Sequence, residues 1–392
     1  MIRHIFKLIW NRKRSLAWIF IEQMLVFGVL LFIFVSQVDR IKRYYSKGTI
    51  HMENVAAIGF VELDKPMQRA DEEAEVQFRN MIERMKQWQT VELITANRRG
   101  AIANMGNQLN DSISFRENRF MANIRYCDEN YYRIFLPKLS EGAWFRDSDV
   151  SEIPPALITQ LLADNIGLTG SAIGQNIYYN GRTFRIIGVV EAFKTEAAGN
   201  QLATMFIPIW IDIDRDWEYA VKYKSEQGAD FTRAFMAEFS IYFPHDQFQP
   251  MIMDFSKFMG QINFINYSLT LYFLGIPTAF LLIFAFMGTF GVVWMQSKKR
   301  ISEMGLRIAL GCSPARLQRF IIFENLTLTT IAMLPGLIIA ANLYAFSPKG
   351  WEWLAAVGAA IVLMWLFSAF SAWYPARQAS KVQPVEALKA NQ

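Results

Sequence analysis

Four apolar stretches in this 392-residue sequence are each long enough to cross a lipid bilayer. A transmembrane helix needs about 20 consecutive, mostly apolar residues, and the stretches occupy 16–38, 269–295, 320–346 and 353–373. Residues 39–268, between the first stretch and the second, mix polar and apolar residues as a folded domain does. The sequence therefore predicts one span, a large domain in water, and then three closely spaced spans.

Lys and Arg residues are concentrated on one side of the predicted membrane. Five precede span 1, six lie between spans 2 and 3, three follow span 4, and Lys349 alone lies between spans 3 and 4. Because basic loops stay in the cytoplasm, we expect both termini to be cytoplasmic and the domain to be periplasmic or extracellular. The chain would then be a multi-pass protein of the inner (plasma) membrane. The predicted segments are a cytoplasmic N-terminal amphipathic segment (1–15), span 1 (16–38), the extracytoplasmic domain with stalk ends (39–268), span 2 (269–295), a cytoplasmic loop (296–319), span 3 (320–346), a short external loop (347–352), span 4 (353–373) and a cytoplasmic tail (374–392).

The overall net charge of +5 is a sum of two opposite parts. Residues 39–270 carry a net charge of −5, and the rest of the chain carries +10. Chain orientation in a membrane explains such a distribution, so the basic pI is no evidence for nucleic-acid binding. We predict contact with the lipid bilayer and none with nucleic acid.

The domain between spans 1 and 2 has a mixed α/β pattern. Short β-rich runs alternate with segments whose apolar residues recur at helical spacing, such as 68–88. Asn180 and Gly181 separate two β-rich runs, which is a strong signal for a β-hairpin. The predicted fold class is therefore an α-helical four-span membrane region with a mixed α/β extracytoplasmic domain inserted between spans 1 and 2.

The sequence contains no recognisable catalytic or metal-binding motif. The three histidines are scattered, and HExxH, GxSxG and the phosphate-binding GxxxxGK[ST] are all absent from the 392 residues. We therefore predict that the chain is not an enzyme and binds no metal. Glu22 and Glu324 lie inside predicted spans, where carboxylates are costly. Pairing with a nearby Arg (Arg12, Arg14 or Arg319), packing against a partner helix, and an ion path all remain open for them.

The loop between spans 2 and 3 contains a short amphipathic helix. Ile301, Met304 and Ile308 follow helical spacing, and Glu303 precedes Arg307 by four residues, the favoured order for an ion pair. Gly311 is suited to end this helix in a left-handed conformation, and Ser313-Pro314 is typical of the start of another helix. Such a helix either lies on the lipid surface or docks into a groove of another protein.

The segment "SKKRISEMGLRIALGCSPARLQRF" resembles the coupling-helix region of FtsX-like permeases of ABC transporters, roughly R-x-x-E-I-G-x-x-x-A-L-G-A-S. Met304 stands where the family has Ile, and Cys312 where it has Ala. In that family this helix sits on the ATPase subunit. The resemblance implies ATPase-coupling roles for Arg300, Glu303, Met304, Gly305, Leu306, Arg307, Ala309, Leu310 and Gly311.

Two further segments are similar to the same family. The C-terminal "YPARQASKVQPVEALKAN" matches the ending P-A-x-x-A-x-x-x-x-P-x-x-A-L, and "AIGQNIYYNGRTFRIIGVV" resembles the external domain of MacB-type members. The C-terminal match rests on Pro375, Ala376, Ala379, Pro384, Ala387 and Leu388.

The resemblance implies a permease subunit without a fused ATPase. A separate ABC ATPase subunit would then bind ATP and Mg²⁺, and two permeases would form a homo- or heterodimer. ATP binding would move the domain by mechanotransmission, for export or for release of a lipoprotein or other substrate. Two alternatives stay open: a regulator that activates an external hydrolase or receptor as periplasmic partner, and a membrane-anchored binding protein or enzyme without any ATPase.

Overall fold

The computed structural model of the chain consists of two compact units. One comprises Met1–Ile41 with Tyr267–Gln392, and the other comprises Lys42–Asn266. We call them the membrane unit and the domain unit. The residues that the structure describes are 13–48, 51–64, 71–98, 109–135, 137–196, 199–211, 218–346 and 350–381.

Within these residues the helices and strands alternate as a mixed α/β chain between long helices. The helices are α1 (Lys13–Tyr45), α2 (Glu72–Met85), α3 (Asn130–Phe135), α4 (Gln160–Asn165), α5 (Gly228–Tyr242), α6 (Phe255–Lys299), α7 (Ile301–Ala309), α8 (Pro314–Phe346) and α9 (Trp351–Ala379). The strands are β1 (Val55–Glu62), β2 (Val91–Arg98), β3 (Leu109–Phe115), β4 (Asn118–Cys127), β5 (Leu139–Gly142), β6 (Pro155–Thr159), β7 (Asn176–Tyr179), β8 (Arg182–Val190), β9 (Thr204–Pro208), β10 (Glu218–Tyr223) and β11 (Phe248–Asp254).

Four of the described helices are long and apolar enough to cross a membrane. The candidate spans are Ile19–Tyr45 in α1, Tyr272–Lys299 in α6, Pro314–Ala345 in α8 and Trp351–Ala379 in α9. The predicted fold class, four spans with a mixed α/β domain between the first and the second, is confirmed. Where the bilayer begins and ends along each helix stays a prediction, because helix length alone does not fix it.

The core of the membrane unit packs large side chains of α1 against small residues of its neighbours. Phe27 is fully buried, and a Cβ atom added to Gly336 would lie 2.9 Å from its ring. Small residues allow such close approach between helices, which drives association in lipid. The buried members of this cluster are Val26, Phe27, Leu30, Ala285, Met333, Ala360 and Met364.

Polar side chains also join α8 to α9 inside the membrane unit. The Asn325 amide donates to both the carbonyl (3.0 Å) and the hydroxyl (2.9 Å) of Ser368, and the hydroxyl of Thr329 lies 2.7 Å from the same hydroxyl. All three residues are buried. Because each polar group finds a partner here, the sequence tolerates them inside an apolar bundle.

The sheet of the domain unit has two halves. In one half the strands follow the order β4-β3-β7-β8-β6-β9, and a parallel pairing of β9 with β4 closes this path on itself. Closure removes the unpaired edges that an open sheet leaves. Its interior is filled by buried apolar side chains that include Ile113, Ile124, Ile158, Phe184, Ile186, Met205 and Ile207.

The other half is an antiparallel sheet in the order β11-β1-β10-β2. Helices α2 and α5 pack on one face of it, because their apolar residues recur at helical spacing. Phe231, Phe235 and Phe239 lie one turn apart on α5 and are fully buried. Their rings pack in sequence, with centroids 6.4 Å and 6.1 Å apart.

The predicted hairpin at Asn180-Gly181 is confirmed. Strands β7 and β8 pair antiparallel, with Tyr179 opposite Arg182. Asn180 (φ 47°) and Gly181 (φ 77°) both adopt the left-handed conformation that a two-residue turn of this kind requires.

Among the described glycines, Gly142 in β5 lies closest to the backbone of a neighbouring strand, and it has a matched control at Gly181. Both have positive φ, but a Cβ at Gly142 would overlap the carbonyl oxygen of Ile187, whereas nothing lies within 4 Å of one at Gly181. We expect Gly181→Ala to cost about 1–2 kcal/mol of unfolding free energy through conformation alone. Gly142→Ala is expected to cost clearly more, because β5 must also move away from β8. Thermal unfolding of both variants measures this, and equal shifts in Tm would contradict the steric account.

Candidate functional site

The short helix α7 lies between the end of α6 at Lys299 and the start of α8 at Pro314. It ends as predicted: Gly311 has φ +92°, its amide donates to the carbonyl of Ile308 (2.9 Å), and the Cys312 amide donates to that of Arg307 (2.9 Å). This pair of bonds is the usual glycine-dependent helix end. The hydroxyl of Ser313 then accepts from the amide of Arg316 at 3.4 Å, which caps the start of α8.

One side of α7 is buried against three of the long helices. Met304 is 3% exposed, and Gly305 is also buried. The cluster around Met304 contains side chains from α6, α8 and α9, so the position of α7 is determined by all three. Its other buried members are Val293, Leu317, Ile321, Ala372, Ala376 and Ala379.

Arg300, at the N-cap of α7, binds two carboxylates. Its Nε donates to Glu303 Oε2 at 2.9 Å, and its Nη1 donates to Glu324 Oε2 at 2.8 Å and Oε1 at 3.1 Å. The guanidinium is buried, with 7% of the residue exposed. A planar guanidinium with a fixed fork of donors suits two acceptors in this way. Arg300 thus ties the first turn of α7 to α8.

The predicted ion pair within α7 is confirmed and extends this network. Arg307 Nη2 lies 2.9 Å from Glu303 Oε1, and its guanidinium lies 4.7 Å from the ring centroid of Phe320. Glu303 therefore lies between two cations. The hydrogen bond from Arg300 lowers the pKa of Glu303 below its ordinary value, so the carboxylate stays charged at neutral pH.

The partner of Glu324 is the feature that sequence analysis missed. Of the arginines considered as partners for Glu22 and Glu324, Arg319 is the one close to Glu324 in the sequence, yet the structure pairs Glu324 with Arg300, 24 residues away along the chain. The sequence indicates only that a carboxylate inside a span needs a cation as its partner. Residues 296–319 contain six Lys and Arg residues that could provide it. Nothing in the local pattern selects one of them.

The opposite side of α7 is exposed and largely apolar. Leu306 is 52% exposed and Leu310 is 79% exposed, and Ala309 and Gly311 are exposed as well. We call these four residues the outer face. An apolar surface next to charged residues is typical of an interaction site.

The candidate site residues therefore fall into two groups. Arg300, Met304 and Gly305 are buried within the membrane unit, with Glu303 and Arg307 half-buried beside them. The four residues of the outer face are the most exposed of the candidate residues of this helix. The sequence predicted α7. It did not indicate which side of α7 is buried, because both sides carry apolar residues.

The described part of the C-terminal motif packs beneath the same helix. Pro375, Ala376 and Ala379 lie in the last turns of α9 and are buried, and both alanines belong to the cluster around Met304. Their small side chains let α9 approach α7 and α8 closely. Pro384, Ala387 and Leu388 lie outside the described residues.

Glu22 in α1 lies against α6 at Gly288, where its carboxylate leaves no room for a Cβ atom. The groove around it is otherwise apolar, lined among others by Leu25, Phe284 and Met287. Among the described residues there is no cluster of three or more potential metal ligands.

Sequence models of two families match the chain. The MacB-like periplasmic core domain matches residues 25–239, more than half of the sequence, and the FtsX-like permease C-terminal region matches residues 275–384. The chain belongs to the MacB- and FtsX-like family of ABC transporter permeases. The second match includes α7, α8 and α9, and with them the whole network around Arg300.

The chain is also similar to individual proteins, two by sequence and one by structure. The uncharacterized ABC transporter permease YvrN of Bacillus subtilis (strain 168) is 25% identical over 308 residues, which cover 69% of this chain and 71% of YvrN. The macrolide export ATP-binding/permease protein MacB of Chlorobium luteolum is 25% identical over 277 residues, 66% of this chain but only 40% of that protein. The periplasmic region of MacB from Actinobacillus actinomycetemcomitans aligns with 54% of this chain and 94% of its own length, at 16% identity and a TM-score of 0.40.

We expect Arg300→Met to loosen α7, because it leaves the carboxylates of Glu303 and Glu324 without their shared cation. Removing one partner of a buried ion pair costs about 3–5 kcal/mol. Hydrogen exchange of the 301–310 amides is expected to rise at least about tenfold, the equivalent of 1.4 kcal/mol.

Arg307→Met is the matched control, since Arg307 is more exposed and its described ion pair is with Glu303 alone; its effect on exchange should be small. The double variant Arg300→Met/Glu324→Leu removes charge from both sides and should recover part of the protection. Unchanged exchange in Arg300→Met would show that the ion pair does not hold the helix.

Proposed function

We propose that this chain is the transmembrane subunit of an ABC transporter that converts ATP hydrolysis by a separate ATPase subunit into movement of its external domain. The observation that carries the proposal is the two-sided character of α7. Its inner side is fixed to three membrane helices by buried contacts, and its outer face presents exposed leucines.

The fixed inner side makes α7 suited to transmit displacement. A helix that lay loosely on a lipid surface would slide when pushed, but α7 is attached to α8 through Arg300 and Glu324, and to α6 and α9 through the cluster around Met304. A push on the outer face would therefore move the long helices together. Packed interfaces transmit such shifts because they deform little.

The chemistry of ATP hydrolysis belongs to the partner in this proposal. The 392 residues contain no GxxxxGK[ST] segment to hold nucleotide phosphates, so ATP and Mg²⁺ would bind the ATPase subunit. By analogy with other ABC transporters, two permease chains, identical or different, would meet two ATPase copies.

The orientation in the inner membrane follows from charge. Residues 296–319, which include α7, carry six Lys and Arg residues, whereas the loop between α8 and α9 carries one. By the positive-inside rule, α7 and both termini would face the cytoplasm, where an ATPase has access to ATP, and the domain unit would face the periplasm or the exterior.

Export or substrate release is the activity that we favour, since the name of one relative states macrolide export. In the alternative, the same movement would activate an external hydrolase or receptor without transport. Accumulation of substrate in inverted vesicles on addition of ATP would distinguish the two.

We expect Leu306→Asp and Leu310→Asp each to weaken ATPase binding strongly, because each places a charge in an apolar contact. A P-loop ATPase should be recovered in stoichiometric amount with the unaltered protein from its native membrane in mild detergent. Recovery should fall at least about tenfold with either variant, as for a truncated hot spot worth 1.4 kcal/mol or more.

Ile241→Asp is the matched control, since Ile241 is 73% exposed but belongs to the domain unit. It should leave ATPase recovery unchanged. Equal recovery with all three variants would contradict docking through the outer face.

A further inference from the structure

A four-residue segment of the domain unit, Glu191–Lys194, contacts the last turn of α1 and belongs to the same buried cluster as the first turns of α6. It follows directly after β8, which ends at Val190 and is part of the closed half of the sheet. We call it the joint segment. Its contacts all lie within the domain unit.

Lys194 is the centre of the contact with α1. Its side chain is fully buried, and its ammonium donates to the carbonyl of Arg43 at 2.6 Å and to the hydroxyl of Ser46 at 3.2 Å. The last carbonyls of a helix have no partner within the helix and form the negative end of its dipole. A buried cation at this position therefore satisfies the end of α1 and holds it against the sheet.

The backbone makes a second connection at the same place. The Lys194 amide donates to the carbonyl of Gly48 at 2.8 Å. Gly48 has φ +103°, and a Cβ atom there would lie 2.8 Å from backbone atoms of Ala192 and Phe193. Only glycine allows the chain leaving α1 to approach the joint segment so closely.

Exposed charges surround this buried contact. Glu191 binds Lys47 and, at 3.2 Å, Lys138, and Arg43 donates to the side chain of Asn200 at 2.9 Å. Exposed ion pairs of this kind contribute little. The buried bonds of Lys194 are therefore the ones that fix α1.

The neighbouring residue connects the joint segment to α6. Phe193 is fully buried in a cluster that includes Phe255 and Met259, which lie in the first turns of α6. Its ring centroid lies 5.0 Å from that of Phe206 in β9, and the guanidinium of Arg125 lies 4.8 Å from its ring. Adjacent residues thus serve two different helices: Lys194 holds α1, and Phe193 packs beside α6.

We propose that the joint segment is the element through which displacement of α1 and α6 enters the domain, with Lys194 as the positioning residue that makes the α1 contact rigid. This inference rests on the proposed function, because it names where the movement is received. Without the hydrogen bonds of Lys194, a displacement of α1 would not be transmitted to the sheet.

The test compares two variants. Lys194→Met keeps the approximate length of the side chain and removes its charge, and Lys138→Met does the same at an exposed lysine that pairs with Glu191 of the joint segment. Lys194→Arg serves as the charge-keeping variant. Each is purified with its ATPase in lipid nanodiscs, in a Cys312→Ser background, with spin labels at exposed Ile241 and Leu343. Distances are measured before and after addition of a non-hydrolysable ATP analogue with Mg²⁺.

We expect the nucleotide to shift the distance distribution in the unaltered protein and in Lys138→Met. Lys194→Met should bind the ATPase and hydrolyse ATP but lose at least about half of the shift, and Lys194→Arg should recover part of it. A full shift in Lys194→Met would overturn the role of the joint while leaving the proposed function intact. No shift in the unaltered protein would overturn the proposed function itself.

Hydrogen exchange without nucleotide tests the contact independently. In Lys194→Met, exchange of amides 43–48 should rise at least about tenfold, and unchanged exchange would overturn the inference. Ser46→Ala, which removes one acceptor of Lys194 and keeps its charge, is expected to give a smaller rise and keeps the test available if Lys194→Met fails to fold.

Discussion

The arrangement of the membrane unit depends on one buried cation, the guanidinium of Arg300 between Glu303 and Glu324. A buried guanidinium is stable only when it is paired with its carboxylates. Those carboxylates belong to two different helices, α7 and α8. The same interaction therefore fixes where α6 ends, where α7 begins and how α7 lies on α8. Once α7 is placed in this way, Met304 faces inward and Leu310 faces outward, and the outer face follows without any further specific contact.

The domain unit uses the same physical device. Lys194 is a buried cation that binds the end of α1, as Arg300 binds the start of α7. In both places a fully or nearly buried charge holds a helix terminus, and the neighbouring ion pairs are more exposed than that charge. More exposed ion pairs contribute less to stability. Both units contain such a fixed terminus, which is what a protein needs if it transmits movement without bending at the ends of its helices.

Local features of this structure were predictable from sequence, and long-range ones were not. The length of the apolar stretches predicted the four spans. Helical spacing and Gly311 predicted α7 and its end, and Asn180-Gly181 predicted a hairpin. Each of these features depends on residues that are close together in the chain. The pairing of Arg300 with Glu324, the parallel closure of β4 on β9 and the burial of Lys194 each join distant residues. Lys194 resembles any surface lysine in the sequence, and only the fold shows that it meets Arg43. Leu306 and Met304 are both apolar, so their opposite burial depended on tertiary contacts as well.

The central claim is that α7 is held by the membrane unit on one side and by an ATPase on the other. Photo-crosslinking in native membranes tests it most directly, with a photoreactive amino acid placed at Leu310 and, for comparison, at Met304. We predict that Leu310 crosslinks to a P-loop ATPase, whereas Met304 gives only crosslinks within the chain. Crosslinks from Leu310 to lipid alone would contradict the account, since α7 would then be a lipid-surface helix.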